Sequence, residues 1–370
     1  MIKICFVKEN MTIMDGVVRV LELVANELAE EYEVHLLSIC GEKDKMPMNL
    51  KKNIHFQILK EGNVHIRESL IVGIKGIRRY ILKNKIDVVF AVGGGSLPAT
   101  VLGSSFLNVR RVFCEHINLC TSLSHGTDAM IRKLCVPFMD RVVTLTDEDK
   151  KDYIHQFRNL NSRNVIVIHN WMDEALLNEH VDYNSKSKKI ITVGRICEQK
   201  GFDILVPIAV DVLKNHPDWK WEIYGAGEDY DKINKMIEEY NMCENIEMMG
   251  MCKDVYERYK EYAFYAMTSR FEGLPMVLLE AKAQKLPVIA FDCKTGPGEI
   301  VRNEIDGILI EDGNISQYEK GLERLINNEN MRIEFSKNSQ GNINKFQKEA
   351  IVDQWKMMIN DLVVLEEKTW

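Results

Sequence analysis

Short apolar runs alternate with amphipathic stretches along most of the chain. The runs of the first half are IKICFV, EVHLLS, DVVFAV, RRVFCE, RVVTLT and NVIVIH. Segments with helical apolar spacing, such as Val17 to Glu30 and Ser69 to Asn84, separate them. Continuously apolar strands divided by helices are typical of a parallel sheet that helices cover on both faces. The pattern therefore predicts a Rossmann-like unit.

The alternation stops at the polar stretch from Asn178 to Lys188 and then starts again. The second series consists of KIITVG, KWEIYG, IEMMG, YAFYAM, LPVIAF and GILI, again separated by helical segments. A chain of 370 residues also exceeds the ~250–300 at which a single core stops growing. We therefore predict an α/β protein with two doubly wound, Rossmann-like domains.

The predicted boundaries are 1–180 for the first domain, 181–345 for the second, and 346–370 for a helical tail that packs back towards the first. Ligands of open parallel sheets bind beyond the carboxyl ends of the strands. With two such sheets, a cleft between the domains is the expected binding site.

The charge balance narrows the classes of partner. The net charge is 48 − 55 = −7, which argues against a general nucleic-acid binder. Residues 1–180 carry 23 − 22 = +1 and the remainder carries 25 − 33 = −8, so an anionic partner is expected on the first half.

The spacing of the cysteines and the hydropathy of the chain indicate the cellular compartment in which the protein is expected. The nine cysteines never form C-x-x-C, so neither a disulfide framework nor a zinc ribbon is indicated. No stretch approaches the ~18–20 apolar residues of a spanning helix, and the amino terminus does not resemble a signal peptide. We expect a cytoplasmic protein, either free or at the inner face of the cell membrane.

The loop after KIITVG carries fixed positive charge beside a helix start. Arg195 and Lys200 in VGRICEQKG suit a diphosphate, because a guanidinium and an ammonium form charge-assisted hydrogen bonds with phosphate. The alternative is a solvated loop. The later Gly225-Ala226-Gly227 is a weak signal for NAD, since Tyr230 replaces the third glycine of the fingerprint.

The segment SRFEGLPMVLLEAKA places two glutamates around an apolar run. Glu272 lies in a predicted turn, and Pro275 suits the start of the next helix. Glu280 then lies about five residues, or ~7.5 Å, along that helix. Its carboxylate can accept both hydroxyls of a ribose. The alternative is a structural glutamate in a salt bridge.

Together these motifs resemble those of the retaining glycosyltransferases of family 4. FEGLPMVLLEA is similar to the family's E-x7-E motif, and VGRICEQKG is similar to its donor loop. The resemblance extends to RVFCEHIN, to FDCKTGPGEIV and to the amino-terminal helix, and it spans Met1 to about Asp312. It implies the GT-B fold, with two Rossmann-like domains and the donor in the cleft between them.

The resemblance also implies roles for individual residues. Arg195 and Lys200 would bind the donor diphosphate, Glu280 the ribose, and Met251 the base. Glu272, with the backbone of Gly273 and Leu274, would lie against the transferred sugar, and Lys294 to Glu299 would close over it. The residues expected to act in catalysis are Glu272, His116, Arg195 and Lys200.

Two positions belong to the first domain. His116, at the end of a predicted strand, matches a family histidine that faces the donor sugar, where it would be a hydrogen-bonding or electrostatic partner. Gly16 would let the backbone approach a phosphate. The family often has a second glycine before it, but this chain has Asp15, which adds a negative charge.

A basic helix is predicted from Ser69 to Lys85. It contains Lys75, Arg78, Arg79, Lys83 and Lys85 but no acidic residue. Such a helix can lie on an anionic membrane and meet a lipid-linked acceptor there. The alternative is ordinary packing with a solvated basic face.

We therefore expect a retaining hexosyl- or N-acetylhexosaminyltransferase of surface polysaccharide synthesis, such as capsule or lipopolysaccharide. It would move a sugar from a nucleotide-sugar, with uridine as the expected base, to a glycan or lipid-linked acceptor. No cofactor and no metal are expected, because no D-x-D pair at a strand end has a clear metal role and the family resemblance implies none. The alternatives are a non-hydrolysing UDP-sugar epimerase and a catalytically silent partner subunit that binds a sugar nucleotide.

Overall fold

The computed structural model describes residues 1–43, 45, 48–62, 66–124, 126–172, 176, 182–252 and 255–367. By its internal contacts the chain divides into two compact units, one formed by Met1–Asn170 with Glu349–Trp370 and the other by Trp171–Lys348. The predicted domain boundary at residue 180, and the start of the polar stretch at Asn178, lie outside the described residues.

Within the described residues, the first unit contains a seven-stranded sheet of order β3-β2-β1-β4-β5-β6-β7. Every neighbouring pair is parallel. The strands are β1 (Lys3–Asn10), β2 (Glu33–Gly41), β3 (His55–Glu61), β4 (Val88–Val92), β5 (Arg110–Cys114), β6 (Arg141–Thr144) and β7 (Val165–Val167). The predicted parallel sheet is thus observed.

Sequence analysis missed strand β3. This strand lies at the edge of the sheet, and its residues are exposed or half-buried throughout. The sequence HFQILKE is correspondingly mixed in polarity, so it lacks the continuous apolar character by which the buried strands were identified. Pairing with β2 alone defines the strand.

Helices cover both faces of this sheet, as expected from strands that are apolar on both sides. Among the described residues up to Asn170, the helices of this unit are α1 (Gly16–Leu28), α2 (Ile66–Asn84), α3 (Leu97–Ser104), α4 (Leu119–Ser124), α5 (Gly126–Cys135) and α6 (Asp147–Gln156). Ile77 and Ile81 of α2 pack with Cys5 and Val7 of β1. Helix α3 packs between α2 and α5.

The second unit has a parallel sheet of its own, with six strands among the residues described, in the order β10-β9-β8-β11-β12-β13. The strands are β8 (Lys189–Val193), β9 (Lys220–Tyr224), β10 (Ile246–Gly250), β11 (Phe264–Met267), β12 (Val288–Asp292) and β13 (Gly307–Glu311). All six correspond to predicted runs.

The helices of the second unit follow these strands in alternation. They are α7 (Phe202–Leu213), α8 (Tyr230–Glu239), α9 (Val255–Arg258), α10 (Met276–Ala283), α11 (Pro297–Ile300), α12 (Ile315–Asn327) and α13 (Glu329–Asn338). Helices α7, α8 and α12 contribute to the main apolar core, in which the buried Trp221 of β9 packs with them. The two units therefore repeat one architecture.

The carboxyl-terminal helix α14 (Lys348–Glu367) packs on the first unit. The ring of Trp355 lies 6.2 Å from that of Phe6 and 5.9 Å from that of Phe90, measured between centroids. The hydroxyl of Tyr32 donates to Asn360 Oδ1 at 3.1 Å. An aromatic anchor thus holds the helix against the centre of the sheet.

No helix in the described ranges is long and apolar enough to cross a membrane.

Replacing Trp355 with Ala should destabilise the first unit. Trp355 is 7% exposed, and truncating a buried aromatic residue to Ala typically costs about 3–5 kcal/mol. The measurement is the free energy of unfolding in urea, with Met357→Ala as the control. Met357 lies on the same helix but is 71% exposed, so its truncation should change stability by less than about 0.5 kcal/mol. Equal effects would refute the anchoring role.

Candidate functional site

The centre of the candidate site is an ion pair between the loops that follow β8 and β11. Lys200 ends a 3₁₀ turn, Glu198–Lys200, and Glu272 lies in the turn before α10. Lys200 Nζ lies 2.6 Å from Glu272 Oε1, with exposures of 20% and 6% for the two side chains. The two motifs identified separately in the sequence therefore meet in the structure.

Backbone contacts hold the same two loops together. The amide of Arg270 donates to the Gln199 carbonyl at 2.8 Å, and Gln199 Nε2 donates to the Phe271 carbonyl at 3.0 Å. The Arg270 guanidinium binds both oxygens of Asp203, at 2.8 and 2.7 Å. Hydrogen bonds from Arg270 hold the pKa of Asp203 below its usual range. Sequence analysis missed both residues, because their pairing joins segments far apart along the chain.

Gly201 is required where these loops meet. Its φ of +67° is in the left-handed region, and a Cβ at this position would lie 2.2 Å from the carbonyl oxygen of Thr268. The hydroxyl of Thr268 in turn donates to the Gly201 carbonyl at 3.0 Å. The glycine of the EQKG motif thus allows the end of β11 to approach the start of α7.

Arg195 is the exposed cation of the site. Its side chain is 70% exposed and its Nη2 lies 3.1 Å from Glu228 Oε2. Glu228 was also missed by sequence analysis. In this geometry Arg195 lies at the surface of the second unit and is accessible to solvent.

The Gly225-Ala226-Gly227 turn has a structural explanation. A Cβ at Gly225 would lie 1.8 Å from the carbonyl oxygen of Gly194, and one at Gly227 would lie 2.2 Å from that of Ile196. The amide of Ile196 donates to the Ala226 carbonyl at 3.0 Å. The glycines are therefore accounted for by the close approach of the turn after β9 to the VGR loop.

Glu280 lies on the first turns of α10. The helix begins at Met276, with Pro275 as its N-cap residue rather than its first helical residue as predicted. Glu280 is 8% exposed, and the hydroxyl of the buried Tyr259 donates to its Oε2 at 3.4 Å. Its carboxylate therefore has a protein partner, and the binding of ribose stays a prediction.

The turn at Glu272 is supported from the other side by the loop before α11. The hydroxyl of Thr295 donates to the Gly273 carbonyl at 3.2 Å, and Leu274 is buried. Gly296 has a φ of +103°, and a Cβ there would lie 2.7 Å from the same carbonyl oxygen.

Met251, the residue predicted to contact the base, lies just after β10. Its side chain is 80% exposed, so burial does not fix it for that contact.

His116 of the first unit lies two residues after the end of strand β5. The preceding Glu115 is buried and accepts hydrogen bonds from Arg132 Nε at 2.7 Å and from Tyr153 Oη at 2.7 Å. The same carboxylate accepts the backbone amides of His116 at 3.1 Å and Ile117 at 3.3 Å. This buried network, which sequence analysis missed, fixes the peptide that carries His116.

The imidazole of His116 is neutral at neutral pH. Burial lowers its pKa from the ordinary 6.5 to about 4, against the opposing effect of Glu115. Lys8 lowers the pKa further and Asp15 raises it. A neutral ring can donate and accept hydrogen bonds, so this geometry favours a hydrogen-bonding role over a positively charged one.

Asp15 is the N-cap residue of α1. Its Oδ1 accepts the backbone amide of Val18 at 2.7 Å, and its Oδ2 lies 3.1 Å from Lys8 Nζ. Gly16 begins the helix, and a Cβ there would have no neighbour within 4 Å. Asp15, which differs from the glycine often found in the family, thus caps α1 and pairs with Lys8.

One group of metal-binding residue types occurs among the residues the structure describes, formed by Glu33, His35 and His55. It lies at the amino ends of β2 and β3, whereas ligands of such sheets bind at the carboxyl ends. Lys3 Nζ also lies 3.0 Å from Glu33 Oε1. The group is thus separate from the site described above.

Comparison with known proteins identifies the class. The model of Glycosyltransferase Family 4 matches residues 14–176, and that of Glycosyl transferases group 1 matches residues 174–342. The chain is 34% identical over 292 residues to the amylovoran biosynthesis glycosyltransferase AmsD of Erwinia amylovora, covering 76% of this chain and 80% of AmsD. The chain therefore belongs to glycosyltransferase family 4.

Solved structures agree with this assignment. A Staphylococcus aureus TarM mutant in complex with fondaparinux, α-GlcNAc-glycerol and UDP has a TM-score of 0.69 at 26% identity, over 79% of this chain and 59% of TarM. The lipopolysaccharide outer core galactosyltransferase WaaB has a TM-score of 0.78 at 18% identity, over 97% and 99% of the two chains. The predicted GT-B class and glycosyltransferase activity are confirmed.

Stability should depend on the protonation of His116. As the pH falls from about 6.5 to about 4, the unfolded chain binds a proton that folded His116 does not, so this residue lowers stability in that window. Above about 6.5 its effect is constant. His116→Gln should therefore reduce the loss of Tm between pH 7 and pH 4.5. The exposed His155 provides the control variant His155→Gln, which should leave that loss unchanged. An NMR titration giving His116 a pKa above 6 would contradict the expectation.

Proposed function

We propose that the protein transfers a hexosyl or N-acetylhexosaminyl group from a UDP-sugar to a hydroxyl of a surface glycan or lipid-linked acceptor, with retention of configuration and without a metal. The observation that carries the proposal is the ion pair of Lys200 with Glu272, whose atoms lie 2.6 Å apart. In a nucleotide-sugar the diphosphate joins the anomeric carbon directly. Lys200 would bind the phosphate and Glu272 the sugar. The pair would therefore lie beside the bond between them, which is the bond that breaks.

Departure of the diphosphate is the difficult step, and positive charge lowers its barrier. Lys200, Arg195 and the amino-terminal turn of α10 would stabilise the negative charge that develops on the leaving oxygen. Because Arg195 is exposed, it can leave Glu228 and bind the diphosphate. Two side-chain cations and a helix start can thereby replace a metal ion.

The ion pair of Glu272 with Lys200 supports a mechanism in which the acceptor hydroxyl attacks the sugar on the same face from which the diphosphate leaves. A carboxylate held by Lys200 is a poor nucleophile, which disfavours a covalent intermediate on this residue. In the proposed step the bond from the acceptor oxygen to the anomeric carbon forms as the carbon–phosphate oxygen bond breaks. The proton of the acceptor hydroxyl passes to the leaving diphosphate. The neutral His116 would contact a sugar hydroxyl, and Gly16 a phosphate.

The comparisons support a UDP-sugar as the donor and polysaccharide biosynthesis as the class of pathway. The TarM complex contains both UDP and an α-GlcNAc-glycerol, and AmsD is named for the biosynthesis of amylovoran. These relatives favour a uridine nucleotide and a polysaccharide or similar acceptor for this chain. They give no support to the epimerase or to the silent subunit, and epimerisation of a UDP-sugar without acceptor would be the result that revives the epimerase.

UDP should stabilise the protein more than other nucleoside diphosphates. A ligand at 100 times its Kd adds about 2.7 kcal/mol, which should raise Tm by about 5 °C or more. The measurement is a thermal-shift panel of UDP, GDP, ADP and dTDP. No response to any of the four would overturn the donor site.

Glu280→Gln should weaken this response specifically. Losing a charged acceptor for two ribose hydroxyls should raise the Kd for UDP at least about tenfold. Glu334→Gln is the matched control, since Glu334 is an exposed glutamate of α13 and its loss changes the charge equally. Reading the change in Tm on adding UDP separates binding from folding. A Kd equal to that of the control would return Glu280 to a structural role.

Removal of divalent metal should leave catalysis intact. In excess EDTA, the release of UDP from UDP-sugars should stay within about twofold of the untreated rate, because protein cations stabilise the leaving group. A parallel assay with added Mg²⁺ or Mn²⁺ is the control. If EDTA abolished the release of UDP and either ion restored it, the metal-free mechanism would be refuted.

A further inference from the structure

Helices α2, α3 and α5 expose apolar residues on the outside of the first unit. The three helices form one layer, in which α3 packs against both of the others. Six large apolar side chains on this layer and on the turn after α5 are 51% to 62% exposed: Ile71, Leu82, Leu102, Met130, Leu134 and Phe138. Large apolar side chains that are exposed together on one helical layer are typical of an interaction site.

The helix α2 adds positive charge to this surface. Ile71, Lys75, Arg78 and Leu82 follow one another at helical spacing, so apolar and basic side chains share one stripe. A shallow groove on the helix is lined by Lys75, Arg78, Arg79, Leu82 and Lys83. Four cations beside the exposed Leu82 suit the phosphate of a lipid headgroup next to an acyl chain.

Phe106 lies beside this groove. It is fully exposed, although it is a large aromatic residue in the loop after α3. Its φ of +61° is in the left-handed region, which a bulky side chain rarely adopts. Arg78 Nη1 donates to the carbonyl of the preceding Ser105 at 2.8 Å and thereby holds the loop against α2. The ring gains no packing inside the protein from this position.

We infer that the outer face of α2, α3 and α5 docks on an anionic membrane, with Phe106 inserted between the lipids. Basic residues would contact the headgroups, while Leu82, Leu102 and Phe106 enter the acyl boundary. The inference deepens the proposed function, on which it rests for the acceptor: a lipid-linked acceptor would be met at this face. The docking itself requires no catalysis.

Charge favours a membrane over a second copy of the chain. In a two-fold dimer this face would meet the same face of a second copy, which carries the same cations. Within Ser69 to Lys85 no acidic residue is present to pair with them. An anionic bilayer complements both the charges and the apolar residues of this face.

Vesicle binding tests the inference. The full chain is mixed with vesicles of phosphatidylcholine alone or with about one-third phosphatidylglycerol, and bound protein is measured by flotation. Binding is expected only to the anionic vesicles, and it should weaken with added salt. Equal binding to both, or to neither, would overturn the inference.

Two variants connect binding to the named residues. The triple variant Lys75→Gln, Arg79→Gln and Lys83→Gln should weaken partitioning roughly a hundredfold, because each basic residue near an anionic surface contributes about fivefold. The matched control is Lys43→Gln, Lys51→Gln and Lys52→Gln, which removes the same charge from other exposed positions of this unit. Equal losses in both triples would show unspecific attraction and overturn the assignment.

Phe106→Asn separates docking from folding. Asn tolerates the left-handed conformation better than Phe, so Tm should stay the same or rise while partitioning falls at least about tenfold. The UDP-induced shift in Tm should be unchanged, so a failed docking test would leave the donor site standing. Self-association of the free chain that Phe106→Asn abolishes would assign this face to a dimer and refute the membrane contact.

Discussion

The ion pair between Lys200 and Glu272 is the constraint on which the candidate site of the second unit depends. It joins two loops that leave different strands, β8 and β11, and the Arg270–Asp203 pair and two backbone hydrogen bonds hold the same junction. A largely buried carboxylate is costly unless a partner is fixed beside it. The surrounding contacts therefore serve to keep a cation and a carboxylate together at one edge of the sheet.

Both units arrange their polar residues in a similar way. In the first, Glu115 is buried with Arg132 and Tyr153, and two of its hydrogen bonds fix the backbone that presents His116. In the second, the Arg270–Asp203 pair orders the turn that presents Glu272. In each case a group of paired charges positions a residue at the carboxyl edge of a parallel sheet. The residues that sequence motifs identify are held in place by residues outside those motifs.

The fold was largely predictable because buried parallel strands are recorded directly in the sequence. Runs such as KIITVG and DVVFAV are apolar on both faces, whereas the edge strand β3 is not and was missed. Among the site residues, Arg195, Lys200, Glu272 and Glu280 follow from motif and spacing. Arg270, Asp203 and Glu228 do not, because only the fold brings their partners close. Similarly, Asp15 was identified as an anomaly, but its function as a helix cap required the geometry of α1.

The helix α14 has a consequence for the order in which the protein can fold. It is the last described segment to leave the ribosome, yet Trp355 covers Phe6 and Phe90 at the centre of the first sheet. Until residues 348–367 are synthesised, this apolar face lacks its cover, although every strand of the sheet is already present. The first unit is therefore completed only after the second unit has been synthesised. Before that, Phe6 and Phe90 lack the cover of Trp355 and can associate with other chains.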